Sequence, residues 1–137
     1  IMDRFKVLAN TSELPGSHVA TFLMPAAEVA LTLEEEISAM ADSFAKRRLF
    51  FHKEVDSLPG VAAPIPEGAF YILADVSGTG MSDIEFARRA LEEAKVQVIP
   101  GSLMIGGEDL IRLSYATSLD DLKEGIHRLR IWLNGII

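Results

Sequence analysis

The chain contains no cysteine. Disulfides and thiolate metal sites are thereby excluded, and a reducing, cytoplasmic setting is the expectation. It also lacks any apolar run of the roughly 18 residues needed to cross a bilayer. No secretory signal is recognised at its start, so a soluble protein without membrane association is expected. Positive charge is in deficit: 13 Lys and Arg stand against 20 Asp and Glu, a net charge of −7. Such a surface repels a polyanion, which argues against nucleic acid as a partner. His18, His52 and His127 are isolated, with no H-x-x-E-H or i,i+4 pairing, and they suggest no metal site. Neither a G-x-S-x-G elbow nor a P-loop is present.

What remains is a chain of 137 residues, 49% of them apolar. That length suits one domain, or one domain plus an arm, and buries roughly two thirds of its unfolded surface. A mean hydropathy of +0.23 is high for a small acidic domain and suggests surface that something else covers.

In chain order, the opening segment ends in turn residues, and Ser17 is placed to cap a helix through HVATFLM. Pro25 either kinks that helix or starts a new one at its first position. Val19 to Leu31 is apolar nearly all round, as in a helix buried on all sides or deprived of a partner. An exposed, oligomer-forming or disordered arm is expected there. Thr32-x-x-Glu35 fits a capping box. Leu33, Ile37, Met40, Phe44, Phe51, Val55 and Leu58 then form one stripe on a long helix that Pro59-Gly60 stops. Arg47 and Arg48 interrupt the stripe and read as surface charges with buried stems.

Val61–Pro64 and Ala69–Val76 read as extended, the first confined by Pro64 and Pro66 to an edge or bulge. Ser82-x-x-Glu85 is a second capping box. The helix after it is expected to turn Ile84, Ala87, Leu91 and Ala94 inward. Val96–Ile99 and Leu110–Ala116 read as strands. Thr117 or Ser118 caps a last helix with the stripe Leu119, Leu122, Ile126, Leu129 and Leu133. The pattern predicts an α+β two-layer sandwich, a small, mostly antiparallel sheet with helices on one face.

The stretch from Pro100 to Ser118 carries the chemistry. Ile111, Leu113 and Tyr115 alternate with Arg112, Ser114 and Ala116, so one face is apolar and the other presents a guanidinium between small neighbours. A planar, permanently charged fork there suits a carboxylate. Gly101, Ser102, Gly106 and Gly107 form a loop whose backbone can approach a ligand closely. An arginine on a solvated sheet face beside a glycine-rich hairpin is the alternative. Two other motifs weaken on inspection. Gly78-Thr-Gly80 lacks the third glycine of a dinucleotide loop, and Asp83 opposes a pyrophosphate there. Ser43-x-x-Lys46 spells a nucleophile or cofactor-lysine pattern, but it falls midway along the long amphipathic helix.

PGS, a glycine-rich spacer and GEDLIRLSYATS together resemble the C-terminal signature of class I pyridoxal-phosphate (PLP) aminotransferases of the aspartate aminotransferase type. FAKRR at 44–48, LPGVAAPIPEGAFYILADVS at 58–77, DDLKEGIHRLRIWL at 120–133 and TSELPGS at 11–17 follow that family's order and spacing. The resemblance implies a connecting arm over 1–31 and the small domain over 32–137. It implies that Arg112 grips the α-carboxylate of an amino acid or 2-oxo acid, and that Tyr71, Gly101 and Ser102 border the active site, with a purely sheet-packing aromatic as the alternative for Tyr71. It further implies PLP as the parent's cofactor, a homodimeric parent, and a large domain that this chain does not include.

Met104 and Ile105 stand where the family offers a Phe-Gly pair, in a loop one residue shorter. The family's Schiff-base lysine setting, its Asp-x-x-Tyr and its N-P-T-G segment are missing. PLP chemistry needs an amine for the imine and a carboxylate opposite the ring nitrogen. The expectation is therefore an inactive fragment with no PLP bound to it alone. The competing possibility is a non-catalytic α+β module that binds an anion or a partner.

Overall fold

The computed structural model describes residues 20–104 and 107–137. Two compact units divide it, Ile1–Ala39 and Met40–Ile137. In the first, a 3-10 turn over Thr21–Leu23 leads into helix α1 (Met24–Ala30), with Pro25 in its first turn and no buried residue. Proline is tolerated there because the first-turn N–H has no intrahelical acceptor. Helix α2 (Glu34–Asp56) follows. The expected Thr32 capping box does not form: the Thr32 hydroxyl donates backward to the Val29 carbonyl at 2.8 Å. It thus finishes α1 rather than starting α2. The expected Ser17 cap lies outside the described residues.

The second unit holds the sheet. Strands β1 (Tyr71–Asp75), β2 (Ile99–Pro100) and β3 (Leu110–Ser114) are antiparallel in the order β1-β3-β2. The register pairs Leu73 with Arg112 and Ile72 with Leu113 across β1 and β3, and Ile99 with Arg112 across β2 and β3. Alternation decides the faces. Ile72, Ala74, Ile111, Leu113 and Tyr115 are buried, whereas Leu73 and Ser114 are exposed. Both long-strand readings lose a residue or two at their ends. Val96–Ile99 shrinks further, since only Ile99 pairs. Val61–Pro64 contributes one bridge, Ala62 to Asp75.

Helices close the buried face. Phe51, Val55 and Leu58 come from α2 and its end; Leu122, Ile126, Leu129, Trp132 and Leu133 come from α4 (Leu119–Ile136). Burying each such side chain contributes about 1.5–3 kcal/mol. Ser118 caps α4, its hydroxyl oxygen accepting from the Asp121 N–H at 3.1 Å. The expected α4 stripe omits Trp132 and includes Leu119, which is exposed.

Helix α3 (Asp83–Arg89), continued by a π turn over Ala90–Ala94, corrects a second expectation. Ser82 caps it as anticipated, accepting from the Glu85 N–H at 3.2 Å. Its inner face, however, is Asp83, Phe86, Ala87, Ala90 and Ala94, while Ile84 and Leu91 face outward. Phe86 sets this rotation: its ring meets Trp132 edge-on with centres 5.1 Å apart, and the small alanines beside it let the helix sit close to the core.

Arg47 and Arg48 are also more than surface charges. The Arg47 guanidinium lies 4.0 Å from the centre of the Phe44 ring, and its Nη1 donates to the Thr117 carbonyl at 2.8 Å. Arg48 Nη1 donates to the Pro66 carbonyl at 3.2 Å. No helix among the described residues is long and apolar enough to cross a membrane.

Candidate functional site

Arg112 occupies the middle of the central strand, on the face opposite the buried Ile111 and Leu113, and is itself partly buried. Its guanidinium carbon lies 4.5 Å from the centre of the Tyr71 ring. Among the described residues its guanidinium makes no hydrogen bond and no ion pair, although its backbone is paired in the sheet. Stacking on a ring face orients the fork without consuming any of its N–H donors. The guanidinium is therefore held and still able to bind.

Around it is a groove of about 400 Å³ lined by Pro64, Pro66, Gly68, Ala69, Tyr71, Leu73 and Met104. Arg112 is the only charged side chain in that lining. Apolar walls lower the local dielectric and strengthen the attraction of a lone cation for a carboxylate. Tyr71 is thus placed both against Arg112 and against Phe70, whose ring centre is 4.2 Å from its own.

Gly101 and Ser102 are not in the groove lining. A Cβ on Gly101 would run into the Gly107 carbonyl oxygen, and one on Gly107 into that of Gly101. The glycines serve a crossing of two backbones. The Ser102 N–H donates to the buried Asp83 carboxylate at 2.7 Å. That backbone bond, with the Ser102 hydroxyl, holds the Asp83 carboxyl below its usual range against the opposing effect of burial.

No local periodicity marks the wall formed by Pro64 to Ala69. Ala69 adopts φ +59°, a left-handed backbone that costs a non-glycine residue roughly 1–2 kcal/mol. The Tyr115 hydroxyl donates to its carbonyl at 2.8 Å.

A larger cleft of about 510 Å³ lies elsewhere, lined by Ser43, Lys46, Arg47, Phe50, Thr117, Ser118 and Leu119. Its helix end is already closed by Ser118 and Asp121. The Ser118 and Thr117 hydroxyls hold the Asp121 carboxyl below its usual range. Since Arg47 is engaged with carbonyls, the Arg112 groove is the better candidate. Among the described residues no cluster of His, Asp or Glu is placed to hold a metal ion. His52 Nε2 lies 2.9 Å from the Ala63 carbonyl oxygen, His127 is exposed, and His18 is outside the described residues.

PLP would need an amine and a carboxylate in reach. The groove lining contains neither, so these residues do not by themselves fit that group.

The chain has relatives among known proteins. The chain is 38% identical to an aspartate aminotransferase of Pyrococcus horikoshii, over 86% of its own length and 31% of the relative's. It is 37% identical to a probable aspartate/prephenate aminotransferase of Aquifex aeolicus, over 96% of its length and 34% of the relative's. The crystal structure of the Thermotoga maritima aspartate aminotransferase superposes with a TM-score of 0.73 at 35% identity, covering 94% of this chain and 32% of that one. The chain thus spans about a third of the length of these relatives. The family model for class I and II aminotransferases matches residues 3–129, and the chain belongs to that family.

Proposed function

We propose that this chain is the carboxyl-terminal small domain of a PLP-dependent aminotransferase, with 1–31 as the connecting arm and 32–137 as the domain. Its contribution is Arg112, which binds the α-carboxylate of the amino acid and of the 2-oxo acid product. The observation that carries this reading is a guanidinium held against Tyr71 in an apolar groove, with no partner among the described residues. A bidentate fork fixes both oxygens of a carboxylate and thereby the orientation of its Cα. No proton transfer is assigned to this chain. The lysine, the cofactor's remaining contacts and the other wall of the pocket belong to polypeptide outside it, in a cytoplasmic homodimer. Gly101 and Ser102 border the site indirectly, through the loop that ends at β3.

Binding strength also bears on the isolated chain. A charge-assisted bond contributes roughly 1.5–3 kcal/mol net, whereas a millimolar complex needs about 4 kcal/mol. Arg112 alone therefore holds an amino acid more weakly than millimolar, and the chain by itself is inactive.

Arg112→Lys in the complete polypeptide tests the assignment. Loss of the bidentate geometry is expected to lower kcat/KM for every amino donor by a similar factor, about tenfold or more. Unchanged steady-state kinetics would refute it.

A further inference from the structure

Three side chains on one face of α2, Arg48, His52 and Asp56, recur at four-residue spacing, one helical turn apart. All three reach the same extended segment. Asp56 Oδ1 accepts from the Ala63 N–H at 2.9 Å, and His52 Nε2 meets the Ala63 carbonyl at 2.9 Å. Arg48 Nη1 donates to the Pro66 carbonyl at 3.2 Å. Tyr115, from the end of β3, continues the series by donating to the Ala69 carbonyl at 2.8 Å.

The segment needs such support. Pro64 and Pro66 have no N–H to offer a neighbouring strand, so their stretch cannot join the sheet ladder. Among the described residues, backbone bonds tie it to the sheet at its two ends, the Ala62 bridge to Asp75 and the Tyr115 N–H to the Phe70 carbonyl at 2.9 Å. Between them the carbonyls of Ala63, Pro66 and Ala69 are met by side chains, and those side chains set where the segment lies. Pro64, Pro66, Gly68 and Ala69 are also one wall of the Arg112 groove.

We propose that Arg48, His52, Asp56 and Tyr115 are positioning residues for substrate binding. Acting from behind the wall, they hold 63–69 at the distance from Arg112 that admits the substrate. This rests on the assignment of Arg112 to the substrate carboxylate. None of the four lines the groove; each acts through the backbone it holds.

The test uses the complete polypeptide, with L-aspartate and L-phenylalanine as donors and 2-oxoglutarate as acceptor. Arg48→Met and Tyr115→Phe should each raise KM for the active donor about tenfold, with kcat within about twofold. Amide exchange at Ala63 should quicken in Arg48→Met, and Arg48→Lys, which keeps a donor, should restore most of both effects. Arg112→Lys is measured in parallel. If it lowers kcat/KM while the Arg48 and Tyr115 variants lower only the melting temperature, the residues behind the wall are merely structural and the proposal falls. If Arg112→Lys itself leaves kcat/KM unchanged, the underlying assignment fails and the proposal with it.

Discussion

Glu93 connects the stability of this domain to pH. Its carboxylate accepts from Arg89 Nε at 2.7 Å and Nη2 at 3.0 Å, and from the indole N–H of buried Trp132 at 2.7 Å. The Arg89 bonds, then the Trp132 bond, lower its pKa from the ordinary 4.5 to about 2. Because the folded value is the depressed one, the stabilisation is complete above about 4.5 and is lost as pH falls toward 2. The melting temperature should therefore decline across that window. Glu93→Gln, which cannot ionise, should flatten that part of the profile; an unchanged slope would place the acid sensitivity elsewhere.

Glycines act at the scale of the element, and two of them differ instructively. Gly101→Ala drives a methyl into the Gly107 carbonyl, so a loss of about 1–3 kcal/mol or more is expected in a urea titration. Gly80 has open space around its Cα but φ +74°, so Gly80→Ala should cost only about 1–2 kcal/mol, from backbone strain. A smaller effect at Gly101 than at Gly80 would contradict the crossing. The elements also show where sequence patterning succeeds. The β3 alternation was legible because Ile111 and Leu113 flank Arg112 with a period that only a strand satisfies. Helix α3 departs from its pattern because Ile84 and Leu91 dominate a hydropathy count, whereas packing buries Phe86, Ala90 and Asp83. The groove wall was illegible for a different reason. Its hydrogen bonds join Arg48 to Pro66 and Tyr115 to Ala69 across the sequence, and no local periodicity encodes such pairs. The two prolines, which keep the segment out of the sheet, and the four-residue spacing of Arg48, His52 and Asp56 are the signals the sequence does carry.

For the molecule as a whole, β3 has two unlike faces, one packed in the core through Ile111 and Leu113 and one carrying Arg112. Ile111→Ala should destabilise by about 2–5 kcal/mol, because the residue is 1% exposed in the core. Arg112→Lys, its neighbour on the opposite face, should leave the urea midpoint nearly unchanged. Equal shifts for the two would mean that Arg112 is a packing residue.

The Gly101–Gly107 crossing ties together the ends of β2 and β3 just beyond the pairs Pro100–Ile111 and Ile99–Arg112. Residues between the two glycines can consequently be gained, lost or exchanged outside that knot without altering which strand positions meet. The shorter loop that the family resemblance implies is then compatible with an unshifted Arg112, and variation there can reshape the rim of the groove while its guanidinium stays put.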